Sequence, residues 1–128
     1  MIGYRLQDKD RSINDLLTPE QQISCPMDHD DDKVRHGVSG CASLAELAAY
    51  IACNAIEAAY PVIVKIEGDL SDDEPLDADQ GEFLYLPTSA EIIEDDDEFF
   101  EIVGDLVDLH YTKNFDYRAL LEVAEERI

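Results

Sequence analysis

Thirty-one Asp and Glu residues against nine Lys and Arg give this 128-residue chain a net charge of −22. Any fold it adopts must leave most of that charge in water. Apolar residues nevertheless make up 45% of the chain, so the acidity does not imply disorder. The length suits one domain, residues 1–128, with a single core. Direct binding to nucleic-acid phosphates needs clustered cations, and the composition argues against it. Two uses of the acidity remain. It keeps a monomer soluble, or it imitates nucleic acid and occupies a basic protein partner, as an inhibitor does.

Cys25, Cys41 and Cys53 are an odd number with no paired spacing, which fits reduced thiols better than a disulfide framework. The first residues lack a basic segment followed by an apolar one. No apolar run approaches the roughly 20 residues of a membrane helix. A cytoplasmic protein with no membrane contact is the expectation. Cys25, Asp28 and His29 are possible metal ligands, but their loop has neither the alternating ligands and glycine of a calcium loop nor a second Cys/His pair for zinc. No metal is expected.

Ile2-Gly3-Tyr4-Arg5-Leu6 reads as a first strand carrying one of the few cations. Ser12 caps a short helix through Leu17, and Thr18-Pro19-Glu20-Gln21 offers a second start. Residues 25–36 are a loop by composition, and His36 to Cys41 a short strand with glycines. Ser43-Leu44-Ala45-Glu46 is a capping box that opens a helix to about Ala59. Its buried stripe is Leu44, Leu47, Ala48, Ile51, Ala55 and Ile56. Val62 to Glu67 is the best strand, followed by an acidic loop from Gly68 to Asp79. Asp95 to Glu98 favours a helix start, with Phe99, Ile102, Val103, Leu106, Val107 and His110 facing inward. An amphipathic helix from Phe115 to Ile128 completes the chain. The whole is α+β, a small mixed or antiparallel sheet packed with helices.

Gln80-Gly81-Glu82 leads into Phe83-Leu84-Tyr85-Leu86-Pro87, a run that alternates like a strand. Pro87, with no N–H for a ladder, is expected to end it, with Ala90 to Glu94 pairing back as a further strand. Glu82 and Gln80 stand at the strand mouth, where a carboxylate beside an amide suits a polar ligand. The plainer reading makes Glu82 a solvated strand edge and Gln80 a loop residue. No Walker loop, dinucleotide-binding glycine motif, nucleophile elbow or His-Glu-x-x-His is present.

Arg5 on a first strand, Ser39 on a middle one and Gln80-Gly81-Glu82 before a third resemble the Arg-Ser-Glu class of the ADP-ribosyltransferase family. Gly81 to Pro87 also looks like that family's strand of Glu-Val-Leu-Leu-Pro type. The helix carrying Ala45 and Tyr50 is similar to one after the middle strand in divergent members. The family's usual Ser-Thr-Ser is here Val38-Ser39-Gly40, and the resemblance spans roughly residues 2–94, with C-terminal helices over about 95–128. It implies an ADP-ribosyltransferase-like fold and NAD as cofactor. It also implies transfer of ADP-ribose to a protein or other macromolecular acceptor. Arg5 would hold the NAD phosphates and Ser39 would position Glu82. Glu82 would stabilise the positive charge that develops on the ribose. Gln80 would help choose the acceptor.

Overall fold

The computed structural model describes residues 1–24, 35–75 and 77–128. Cys25, Asp28 and His29 lie outside the described residues. The strands are β1 (Ile2–Asp8), β2 (Ile23–Ser24), β3 (Arg35–His36), β4 (Val38–Cys41), β5 (Pro61–Leu70) and β6 (Glu82–Ile93). The helices are α1 (Leu44–Asn54), α2 (Asp97–Lys113) and α3 (Tyr117–Arg127). The fold is thus mixed α and β, with an antiparallel sheet closed into a small barrel in the order β1-β4-β6-β5. β2 and β3 form a separate two-stranded ribbon.

Residues directly opposite in an antiparallel ladder point to the same side, and neighbours along a strand to opposite sides. The register therefore assigns every barrel residue to one of two faces. Tyr85 pairs with Val38 and Leu70, and Ile66 with Gly3. This inner face buries Val38, Val64, Ile66 and Tyr85 with Leu16 from the 3-10 turn Ile13–Leu17. The outer face carries Cys41 and Ile63, with Tyr4, Leu6 and Ile93 packed alongside, and is covered by the helices. Tyr85 has no exposed surface. A Cβ on Gly3 would stand 2.5 Å from its ring, so only a glycine lets β1 lie against it.

β6 does not stop at Pro87; it runs through to Ile93, and the separate strand expected at Ala90 to Glu94 is its second half. The register explains how. Glu67 pairs with Ser89 and Gly68 with Pro87, so Thr88 is one residue too many and forms a bulge. The Thr88 hydroxyl donates a hydrogen bond to the Glu67 carbonyl, 3.2 Å away. A proline is tolerated where a bulge already interrupts the ladder. Gly68 is needed opposite it, because a Cβ there would collide with the Leu86 carbonyl. β5 likewise extends to Leu70, beyond the expected Glu67.

α1 starts at the capping box as its sequence demands. Ser43 Oγ accepts from the Glu46 N–H (3.1 Å) and donates to Glu46 Oε1 (3.1 Å). It ends at Asn54 rather than Ala59, because Ala55 takes a left-handed conformation (φ 51°). The Ile56 N–H then reaches back to the Ile51 carbonyl (3.2 Å), turning the chain toward β5. Ala45, Leu47 to Ala52 are all buried, so α1 is enclosed between sheet and the other helices rather than along one stripe. α2 buries Phe99, Ile102 and Leu106 as its period requires, and α3 buries Leu120 and Ala124.

Gly68→Ala is expected to destabilise the fold by about 3 kcal/mol, since backbone cannot swing aside as a side chain can. Gly104, exposed in mid-α2 with nothing within 4 Å of an added Cβ, gives the opposite sign. Gly104→Ala should stabilise by about 1 kcal/mol through helix propensity. Urea denaturation of the two variants beside the parent protein checks both signs.

Candidate functional site

Glu82 is the first residue of β6, and its side chain lies on the outer face with Ser39, Cys41 and Leu84. It is not a solvated strand edge. Only 5% of it is exposed. Its carboxylate is held by three donors from three elements. Ser39 Oγ on β4 donates to Oε2 at 2.5 Å. Tyr50 Oη on α1 lies 3.3 Å from the same oxygen, and the Asp77 N–H donates to Oε1 at 2.8 Å. Tyr50 has one proton and two acceptors, for its hydroxyl also lies 3.0 Å from Asp77 Oδ2.

Gln80 ends the 3-10 turn Ala78–Gln80 instead of extending the strand. Its Oε1 accepts from Asn54 Nδ2 at 2.5 Å. Between the two, Gly81 adopts φ 79°, and a Cβ there would meet Tyr117 Oη at 2.5 Å. The glycine in Gln80-Gly81-Glu82 is therefore required by both backbone and space.

Tyr50 and Asp77 were not singled out as site residues by motif. A signal for Tyr50 was present: Glu46, Tyr50 and Asn54 recur every four residues on an otherwise Ala-rich, apolar helix. Such a polar row marks the side facing a polar partner, and here that partner is the turn before β6. Asp77 acts largely through its backbone N–H, which side-chain patterns cannot reveal.

Arg5 is elsewhere. Tyr4 pairs with Cys41 on the outer face, so Arg5 turns to the inner one, away from the side chains of Ser39 and Glu82. It touches Ser39 only through the backbone, with Nη1 donating to the Ser39 carbonyl at 3.2 Å. The structure brings Ser39 and Glu82 together, sets Gln80 one turn away against Asn54, and puts Arg5 behind the sheet. A cavity of about 340 Å³ lies between the start of α1 and the end of α3, lined by Ser43, Glu46, Leu121 and Glu125 among others. None of Arg5, Ser39, Gln80 and Glu82 lines it. Among the described residues no group of His, Cys, Asp and Glu is arranged to hold a metal ion.

Burial and the neighbouring carboxylates make this region resist ionisation. Burial, then Glu46 and Glu82, pushes the Cys41 thiol well above its ordinary 9.0. Burial, then Glu82 and Asp77, does the same to the Tyr50 phenol. Tyr117 is pushed up to about 12, again by burial first and then Glu46. The arrangement is thus an acceptor surrounded by neutral donors, and it ties β4, α1 and the Asp77 turn to one carboxylate. A ligand hydroxyl would reach Glu82 only by displacing one of them.

No protein-family model matches this chain, and neither a curated protein nor a solved structure is detectably similar to it.

Glu82→Ala should cost about 3 kcal/mol, because it strands buried donors. Glu82→Gln keeps an acceptor for Asp77, and the two hydroxyls can rotate to accept from its amide, so about 1 kcal/mol is expected. Equal losses in urea melts would refute the network as the reason for burying this residue. The raised thiol and phenol values also fix a sign. Above about pH 8.5 the unfolded chain releases Cys and Tyr protons that the native protein retains, so it binds fewer protons and stability falls as pH rises. Arg5 works the other way only above its own lowered value of about 10. Denaturation midpoints measured from about pH 8 to 10 should therefore decline.

Proposed function

We propose that this chain is a non-catalytic acidic interaction protein, an inhibitor or nucleic-acid mimic that occupies a basic protein partner. The observation that carries the reading is the outward side of α2. Glu98, Glu101, Asp105 and Asp108 follow one another at three- and four-residue spacing, and all are exposed. That spacing keeps them on one side of the helix, over a length of about 15 Å. Among the described residues only Asp105 of these four forms an ion pair, with Arg127 at 2.6 Å. Asp69, Asp72, Glu74 and Asp79, all exposed, add to the field from the loop before β6. A low-dielectric body edged by one sign of charge steers an oppositely charged surface toward it, and salt screens the attraction. The reading takes the chain as a cytoplasmic monomer with no membrane contact and no direct hold on nucleic acid. Among the described residues no helix is long and apolar enough to cross a membrane.

A second reading rests on the 2.5 Å contact of Ser39 with Glu82. It is the NAD-dependent ADP-ribosyltransferase that the motifs resemble, in a fold of that family, with Arg5 and Ser39 at the cofactor and Glu82 and Gln80 at the reacting end. Its demand is steep, since Arg5 and Glu82 point to opposite faces of the sheet and Glu82 is already surrounded by donors. The interaction reading asks for no rearrangement.

Poly-L-arginine serves as a probe of the acidic surface. Binding measured by fluorescence should weaken steeply with added salt. Exchanging Glu98, Glu101 and Asp108 together for their amides should lower affinity by roughly tenfold and flatten the salt slope. The same exchange at Asp69, Asp72 and Glu74 should do less. Equal effects from both sets would remove α2 as the docking face.

A further inference from the structure

Arg5 has an unusual setting for a cation in this chain. Thirty-one carboxylates are available, yet among the described residues none forms an ion pair with it. Its Nη1 spans the narrowest seam of the barrel, where β1 and β4 share the single register pair Tyr4 with Cys41. Its Nε–H is enclosed and has no acceptor. Two residues along the same face of β1, Gln7 is only 4% exposed. Its Nε2 donates to the Arg11 carbonyl at 3.3 Å, which fixes the amide's orientation. Its Oε1 is then enclosed with no donor. Among the described residues, a charged donor and a neutral acceptor on one face of β1 are thus both enclosed and without a partner, and such groups are expensive to leave unmatched.

The nearby charges reinforce the point. After burial, it is the charge of Arg11 that pulls Arg5 down, to about 10. Geometry agrees: the Arg11 backbone is tied to Gln7 by the 3.3 Å hydrogen bond, so the turn carries a second cation next to the end of β1, in a protein of net charge −22. Asp8 is turned to the outer face by its pairing with Pro61, and its Oδ1 accepts from the Asp10 N–H at 3.1 Å.

We propose that Arg5, Arg11 and Gln7 form a seat for a small protonated oxyanion of the phosphate type, at the end of the barrel where β1 runs into the Asp8–Arg11 turn. The two guanidinium groups answer the negative charge, with Arg5 Nε donating to a phosphate oxygen. Gln7 Oε1 accepts the proton that a phosphate still carries at neutral pH. Sulfate has the same shape but no proton, so it would set an oxygen against the Gln7 carbonyl and be rejected. The seat lies behind the sheet from Ser39 and Glu82, so its ligand does not touch Glu82. It is independent of the acidic face on α2.

The test is calorimetric titration of the whole protein with inorganic phosphate, sulfate and NAD at low ionic strength. Saturable binding of phosphate, at least about tenfold tighter than sulfate, is expected. Arg11 is exposed and its side chain makes no hydrogen bond or ion pair among the described residues, so Arg11→Gln should fold normally and lose most phosphate affinity. Gln7→Met should narrow the difference between phosphate and sulfate, weakening phosphate by the lost hydrogen bond and relieving the oxygen–oxygen contact that excludes sulfate. Three results would overturn the proposal: no saturable phosphate binding by about 10 mM in folded protein; phosphate and sulfate binding alike and indifferent to Arg11→Gln; or an Arg5-dependent NAD site that Glu82→Gln also abolishes. The last would place Arg5 in one pocket with Glu82. None of these results bears on poly-L-arginine binding at α2, so the two ideas fail separately.

Discussion

A barrel of four strands can close only around very little, and here the filling is the ring of Tyr85. Its side chain is fully buried, and its hydroxyl lies 3.4 Å from the Ile2 carbonyl at the seam of β1. Gly3 and Gly40 stand where side chains on the neighbouring strands would meet the ring. Burial raises the phenol to about 12, so it stays a neutral, space-filling group through the physiological range. Without a large residue at this point the strands would have to collapse further than their twist permits or leave a void, and both are costly. The bulge at Thr88 and the glycine opposite Pro87 serve the same closure, because they bend β6 far enough to pair with β4 at one end and β5 at the other.

That closed sheet separates two kinds of chemistry. The outer face holds the Glu82 carboxyl group among Ser39, Tyr50 and the Asp77 backbone. The inner face keeps Arg5 as a cation whose only partner among the described residues is a carbonyl. Opposite charges this close in one small sheet, with only β4 between their strands, would ordinarily be expected to pair. The alternation of the strands forbids it, and each is instead served by dipoles. For Glu82 the dipoles are complete. For Arg5 and Gln7 they are not, and this contrast makes the inner face the more informative of the two.

The surface follows a third rule. Carboxylates crowd the exposed sides of α2 and the loop before β6, while Lys65 and Arg127 each meet a single acid, Glu91 and Asp105. Isolated exposed pairs add little to stability, so they do not offset the self-repulsion of a −22 charge. The core bears that repulsion, with α1 burying its alanines, Leu47 and Ile51 on nearly every side. The excess charge therefore does not hold the fold together.

Much of this architecture is legible locally. The capping box at Ser43, the acidic opening of α2 and the apolar periods of all three helices depend on neighbours within a turn or two, and short-range physics is enough to read them. The meeting of Ser39 with Glu82 was also within reach of motif reasoning. Two errors share one cause: Pro87 looked like a strand end and Ala59 like part of a helix. Whether a proline breaks a ladder depends on the bulge and on Gly68 across from it, and α1 stops where the chain must turn toward β5. The sequence by itself determined the helices, most of the strand segments and the burden of negative charge. Only the tertiary structure decided that Arg5 and Glu82 face apart. Alternation along a strand is a local property, but which side looks inward is set by register with distant strands, and a shift of one residue exchanges the two faces.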